Sequence, residues 1–296
     1  MRRAIFALIL VGCVFLASPA SGQAIRVVTT FPILEDFVEQ VGGEQVQVSS
    51  LIPRGADPHT WEPTPKDARL VAQGDLIVAN GGGFDDWLFA LVQNVARPDT
   101  PLVIASQGLE VIVPEYDHGH SHHHAGDPHF WLSVPNAISY VEQITEALVG
   151  LAPEKAVYFE SRARVYSEEL VELHAWMTQE LSGIPRENRV IVTYHNAFSY
   201  LAEEYGFEVA EFLVANPDAE PSPRDLARLV DLLQGMRNRS VFAEPQLASG
   251  TRYLQALVDE VHGDLFILYS DSLNEEISTY VEMMKCNTRT LLEALK

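Results

Sequence analysis

Cysteine is almost missing from this 296-residue chain, which has only Cys13 and Cys286. Cys13 falls in a removable leader, so the mature chain keeps Cys286 alone and no internal disulfide can brace it. The surrounding Met283-Met284-Lys285-Cys286 follows a helical pattern, which makes Cys286 a half-buried packing residue rather than a reactive thiol. Basic residues are also scarce, 20 Lys and Arg against 41 Asp and Glu, giving a formal charge of −21. Nucleic acid and anionic membrane surfaces attract basic proteins, so this balance argues against both as partners. No apolar run reaches the roughly 20 residues of a bilayer-spanning helix. Neither Gly-x-Gly-x-x-Gly nor a Walker pattern occurs, so Gly81-Gly82-Gly83 reads as a tight strand-to-helix turn, not a phosphate cradle.

What is present begins with an export signal. Arg2 and Arg3 precede the apolar run Ala4 to Leu16, and Ser18-Pro-Ala-Ser-Gly22 supplies small residues for cleavage near residues 22 to 24. Residues 1–23 are therefore read as a signal peptide, and the mature protein as periplasmic. Losing two arginines and no acid takes the formal charge to −23. Leu10-Val-Gly-Cys13 also resembles a lipobox, but the apolar run continues past Cys13, which favours the later cleavage.

From Ile25 short apolar runs alternate with helical patterns up to Leu102–Ala105, which argues for parallel βα units. Pro135–Gly150 is a helix, and a longer one runs from Pro153 to Leu181 without internal Gly or Pro. Phe159, Tyr166, Leu170, Leu173, Met177 and Leu181 form its single apolar stripe. At the helical rise it spans about 43 Å, the length of a whole lobe. The alternation then resumes, with strands Arg189–Tyr194, Phe207–Val214, Ser240–Ala243 and Leu265–Tyr269 and a closing helix from Glu275 to Leu295. The expected fold is α/β, with two βα lobes of parallel sheet joined by a long backbone helix and a site in the cleft between them. The N-terminal lobe is residues 24–151, the connecting helix 152–183 and the C-terminal lobe 184–296.

Histidine is distributed unevenly. His118, His120, His122, His123 and His124 alternate with Gly and Ser, a composition that suits metal capture on a solvated loop rather than core packing. His129 follows at once in Asp127-Pro-His-Phe-Trp131, where proline restricts the backbone. His59 sits in a second Asp-Pro-His, after the strand ending at Ile52. His195 follows the strand Val190–Tyr194 directly, and Asp271 follows Phe266–Ser270 in the same way. Ligands of open α/β sheets bind beyond the carboxyl ends of strands, so two groups from each lobe converge on the cleft. Three neutral imidazoles and one carboxylate make a closed tetrahedral set typical of zinc. Glu244 and Glu62 are candidates to support these ligands, Glu62 being the more plainly solvated. His174, beside the apolar stripe of the long helix, is read as structural, and His262 as a helix-end residue. Imidazole also suits copper, nickel and iron. A zinc hydrolase is a rival reading, weakened by the lack of a His-Glu-x-x-His helix.

These residues carry a resemblance. Ala56-Asp-Pro-His59 with Glu62-Pro-Thr-Pro-Lys-Asp67, Asp127-Pro-His-Phe-Trp-Leu132, Thr193-Tyr-His195-Asn-Ala-Phe198 and Tyr269-Ser-Asp271-Ser-Leu273 resemble the four ligand motifs of metal-binding receptors of bacterial ABC importers, the TroA/ZnuA-like cluster A-I. Asn80-Gly-Gly-Gly-Phe-Asp-Asp-Trp87 and Phe242-Ala-Glu-Pro-Gln246 match further elements of that family. The resemblance implies a monomeric, non-enzymatic receptor that binds Zn2+ and delivers it to a permease in the inner membrane. A periplasmic zinc chaperone is a further expected partner. A His-rich loop before the second ligand, and histidine where manganese receptors usually carry Glu, place it with the zinc branch. Receptors for Mn, Fe or Cu, and a zinc store without an importer, are the alternatives.

Overall fold

A computed structural model describes residues 24–113, 126–214, 217 and 220–296. The leader with Cys13 and the loop histidines His118, His120, His122, His123 and His124 lie outside the described residues.

The first lobe runs β1 (Ile25–Thr29), α1 (Pro32–Gly42), β2 (Val46–Ser50), α2 (Pro65–Gln73), β3 (Leu76–Ala79), α3 (Asp86–Val95) and β4 (Leu102–Ile104). Helices α4 (Val134–Leu151) and α5 (Ala156–Leu181) follow. The second lobe contains β5 (Val190–His195), α6 (Ser199–Tyr205), β6 (Glu208–Val214), α7 (Pro223–Gly235), β7 (Ser240–Ala243), α8 (Ala248–Val261), β8 (Asp264–Ile267) and α9 (Tyr280–Leu295). Both sheets are four-stranded and parallel, ordered β2-β1-β3-β4 and β6-β5-β7-β8. The second sheet thus repeats the connectivity of the first, although no repeat is visible in the residues. Chain direction and crossover handedness constrain this order more than side-chain identity does.

Local chemistry explains the elements. Every residue of β3, Leu-Ile-Val-Ala, is buried, as a central parallel strand covered on both faces requires. Helices α2, α7 and α9 each start with a reciprocal capping box, Thr64 with Asp67, Ser222 with Asp225 and Thr279 with Glu282. Helix α5 is shorter than its sequence pattern, because Pro153–Lys155 winds as a separate 3₁₀ turn. Its 26 residues still span about 39 Å. Phe159, Tyr166, Leu170, Leu173, Met177 and Leu181 are its buried stripe, joined by Ala163.

Several boundaries differ from the sequence pattern, β5 for instance running one residue further to include His195, and two of them shape the segment that carries Asp271. Strand β8 stops at Ile267, so Asp271 stands four residues beyond it instead of directly after it. Helix α9 starts at Tyr280 rather than Glu275. The Asn274 side chain accepts from the backbone N–H groups of Glu276 and Ile277 at 2.9 and 2.8 Å, holding them in a turn before the Thr279 cap.

One hydrophobic cluster crosses from lobe to lobe. It includes Phe31 and Phe37 of the first lobe, Tyr140 and Leu170 of the joining helices, Phe198 and Tyr200 of the second lobe, and Tyr280 and Met283 of α9. Smaller clusters fill the outer faces of the two sheets, under α2 and α3 and under α7 and α8. The lobes therefore meet through packed core rather than through a wet hinge, and large separation would expose aromatic surface.

Candidate metal centre

Each of the four ordered candidates is held by its own short-range device. In Asp57-Pro-His59 the Asp57 Oδ1 accepts the His59 backbone N–H at 3.0 Å. Gly55, in the left-handed region at φ 79°, donates its N–H to the Leu273 carbonyl and the Ser272 hydroxyl, both at 2.8 Å. That contact ties the His59 loop of one lobe to the Asp271 loop of the other. His129 is seated by the glycine turn after β3. Gly81, Gly82 and Gly83 all have positive φ, and a Cβ at Gly82 would lie 2.7 Å from the Phe130 ring. Asp85 accepts the N–H groups of Asn80 and Gly81 at 2.6 and 2.9 Å, while burial raises its carboxyl above the usual range. Asn80 in turn donates to the Pro128 carbonyl at 2.9 Å, and the Tyr140 hydroxyl donates to Asn80 Oδ1 at 2.6 Å.

In the second lobe His195 is the last residue of β5, paired with Val214 of β6. Glu244 leaves β7, the strand on the other side of β5, so the two meet where the strand order switches direction. Asp271 is fully buried, and the adjacent Ser270 carbonyl accepts from Trp131 Nε1 at 2.8 Å across the lobe boundary.

These devices bring four side chains together. His129 Nε2 lies 3.4 Å from both His59 Nε2 and His195 Nε2. Asp271 Oδ1 is 3.3 Å from His129 Nε2, and Oδ2 is 3.4 and 3.5 Å from His59 and His195 Nε2. His129, His195 and Asp271 are buried, and only the His59 side chain keeps some exposure, 14%. Asp271 Oδ1 has no hydrogen-bond partner among the described residues. Bonds of about 2.0–2.1 Å place neighbouring ligand atoms about 3.3–3.4 Å apart, and the five separations above are of that size, with the two Asp271 oxygens facing different nitrogens. Among the described residues this is the one group of its kind that the fold gathers.

The far side of two rings is fixed by carboxylates. Asp127 Oδ1 stands 2.7 Å from His129 Nδ1, and Glu244 Oε1 stands 2.7 Å from His195 Nδ1. An ionised carboxylate only accepts, so each Nδ1 carries a proton, and Nε2 is the atom that offers a lone pair to the centre once it is free of its own proton. Burial pulls the His195 imidazole down, but Glu244 and Asp271 outweigh it and hold the ring up at about 9. Burial acts to raise the Asp271 carboxyl. The neighbouring His129 and His195 rings nevertheless hold it well below the usual carboxylate range. A cation entering here replaces ring protons as the partner of Asp271.

Of the supporting candidates, Glu244 is buried against His195, whereas Glu62 is exposed and outside the cluster. His174 contacts the Tyr205 hydroxyl at 3.2 Å and Glu204 Oε1 at 3.7 Å, joining α5 to α6 away from the centre. His262 takes a left-handed conformation at the end of α8, and Cys286 is half-buried. Sequence reading missed Asp127, although its motif was quoted, and gave no role to Ser270 or Gln246. The repeated Asp-Pro-His was the available signal for Asp127.

Comparison with known proteins identifies the family. The family model described as "Zinc-uptake complex component A periplasmic", ZnuA, matches residues 27–294. The manganese-binding lipoprotein MntA of Halalkalibacterium halodurans is 33% identical over 98% of this chain and 96% of its own length. The manganese ABC transporter substrate-binding lipoprotein PsaA of Streptococcus pneumoniae is 31% identical over 94% and 91%. The Mn-bound periplasmic metal-binding protein of Candidatus Liberibacter asiaticus superposes with a TM-score of 0.80 at 25% identity, over 92% of this chain and 100% of that one. A crystal structure of ZnuA shares the fold, with a TM-score of 0.81 at 24% identity over 93% and 100%. Among the described residues no helix is long and apolar enough to cross a membrane. The chain belongs to the ZnuA/TroA family of metal-binding receptors of ABC importers, which are binding proteins and not enzymes.

Proposed function

We propose that this receptor carries Zn2+ to the membrane permease of an ABC importer, with His59, His129, His195 and Asp271 as its ligands. The observation that carries this reading is the convergence of three Nε2 atoms and a buried carboxylate at 3.3–3.5 Å. Three imidazoles favour a borderline-soft ion, and the separations suit bonds of zinc length. His59, the one partly exposed member, marks the side from which the ion enters. The shared core limits the lobes to small tilts around the ion. Residues 24–151, 152–183 and 184–296 serve as first lobe, connecting helix and second lobe, and a zinc carrier outside the inner membrane supplies the ion.

Manganese is the second reading, and two observations favour it. MntA and PsaA are named for manganese, and both Asp271 oxygens face the histidines, a harder donor set than a single oxygen. Elemental analysis of untagged protein, followed by zinc–manganese competition, separates the two. Copurified zinc with a large preference for zinc supports the first reading. Copurified manganese retained against equimolar zinc overturns it. The lipoprotein names of these relatives also bring Leu10-Val-Gly-Cys13 back as a processing site. Intact-mass analysis of the exported protein distinguishes an acylated Cys13 from a chain starting near residue 24.

A further inference from the structure

The Gln246 side chain links the two metal-facing groups of the second lobe, Asp271 directly and His195 by way of Ser270 and Glu244. Pro245 stands just beyond β7, and the fixed φ of that proline limits the course of the chain leading into Gln246. Its Nε2 donates to Ser270 Oγ at 2.9 Å and to Asp271 Oδ2 at 3.2 Å, and lies 3.4 Å from Glu244 Oε2. The orientation of the amide follows from chemistry, since an oxygen turned this way would face two carboxylates. The Ser270 hydroxyl donates to Glu244 Oε2, and Glu244 Oε1 takes the Nδ1 proton of His195. One amide thus anchors Asp271 directly and His195 through two intermediates.

The contact to Asp271 decides how its carboxylate is presented. With Oδ2 held by Gln246, Oδ1 is 3.3 Å from His129 and Oδ2 is 3.4 and 3.5 Å from His59 and His195. Both oxygens are therefore turned toward the ligand nitrogens, Oδ1 to His129 and Oδ2 to His59 and His195. A carboxylate free to turn about its Cβ–Cγ bond would present one. From this we infer that Gln246 is a positioning residue that sets the number of oxygens Asp271 gives the ion, and with it the selectivity between zinc and manganese. The inference rests on the ligand assignment above. Zinc tolerates four ligands, whereas a harder ion loses more when an oxygen is withdrawn.

The test compares wild type with Gln246→Met, which keeps the bulk and removes the donor. Zinc and manganese dissociation constants are measured by chelator competition, and the zinc coordination shell by X-ray absorption. The expected wild-type shell holds five nitrogen or oxygen donors. Gln246→Met should fall to four and lose at least tenfold more affinity for manganese than for zinc. An unchanged shell or an unchanged affinity ratio in the variant overturns the inference. A four-donor wild-type shell with one carboxylate oxygen also overturns it, whether or not the variant folds. Ser270→Ala, which leaves the Asp271 contact in place, should keep the wild-type ratio. A shift as large as that of Gln246→Met would place the effect on Glu244 and His195 instead, against the inference. Failure of wild type to bind either ion would show at the outset and would reject the ligand assignment itself.

Discussion

His195 Nδ1 and Glu244 Oε1 lie 2.7 Å apart with side chains 1% and 0% exposed, a fully buried imidazole–carboxylate pair. Its ring is held at about 9, so it is charged at neutral pH and must release a proton when an ion binds Nε2. Metal affinity should therefore rise with pH up to about 9, by roughly tenfold per unit from this group alone. The stability of the ion-free protein should respond in the opposite sense. The folded pKa is raised, so the stabilisation is complete below the unfolded value of about 6.5 and is lost as pH climbs to about 9. Zinc titrations in buffers of different ionisation enthalpy, together with urea unfolding across this range, measure both. Affinity independent of pH between 6.5 and 9 would contradict the protonated ring.

The two Asp-Pro-His elements are not equivalent. Both aspartates accept the backbone N–H of their histidine, at 2.9 and 3.0 Å, but Asp127 also reaches the His129 ring at 2.7 Å, whereas the second oxygen of Asp57 takes the Thr60 hydroxyl at 3.2 Å. Asp127→Asn should weaken metal binding about 10- to 100-fold, the usual loss when a ligand's orienting carboxylate is removed. Asp57→Asn should cost much less. Equal losses in a competition assay would mean that the ring contact has no special role.

His195→Glu exchanges an imidazole for a harder oxygen ligand at the end of β5. The zinc-to-manganese affinity ratio should narrow, even where zinc still binds more tightly. His195→Ala should weaken both ions strongly while far-ultraviolet circular dichroism stays as in wild type. A ratio unmoved by His195→Glu would remove His195 from the ligand set.

Gly82→Ala tests the turn that seats His129. Alanine would have to hold φ at 65° and place its Cβ 2.7 Å from the Phe130 ring. The cost should be about 2–4 kcal/mol, from left-handed strain plus overpacking, read by urea unfolding. Wild-type stability would show that the Asn80–Pro128 contact is not confined by this turn.

Deleting Asp117 to Ala125 should leave the tight site's dissociation constant nearly unchanged, because His59, His129, His195 and Asp271 already form a four-residue group among the described residues. Weak extra sites should disappear from the calorimetric titration, and transfer from a zinc carrier should slow. A large loss at the tight site would make a loop histidine a ligand.

The sequence by itself determined the local ingredients. Period-two and helical patterns placed the strands and helices, since burial of a face is written in residue spacing. The doubled Asp-Pro-His, a histidine at a strand end and an acid beyond the last strand were enough to name four candidates. Only the tertiary structure decided which atoms face one another. Asp57 and Asp127 share a motif and each accepts the N–H of its histidine, yet Asp127 also reaches the ring, because Asn80 and the glycine turn fix Pro128 from elsewhere in the chain. Gln246 reads as an unremarkable polar residue until β7 and β8 pair and bring Ser270 and Asp271 to its amide. Spacing along a chain specifies faces, whereas hydrogen bonds of about 3 Å between distant segments depend on the packing of the whole core, which no local pattern contains.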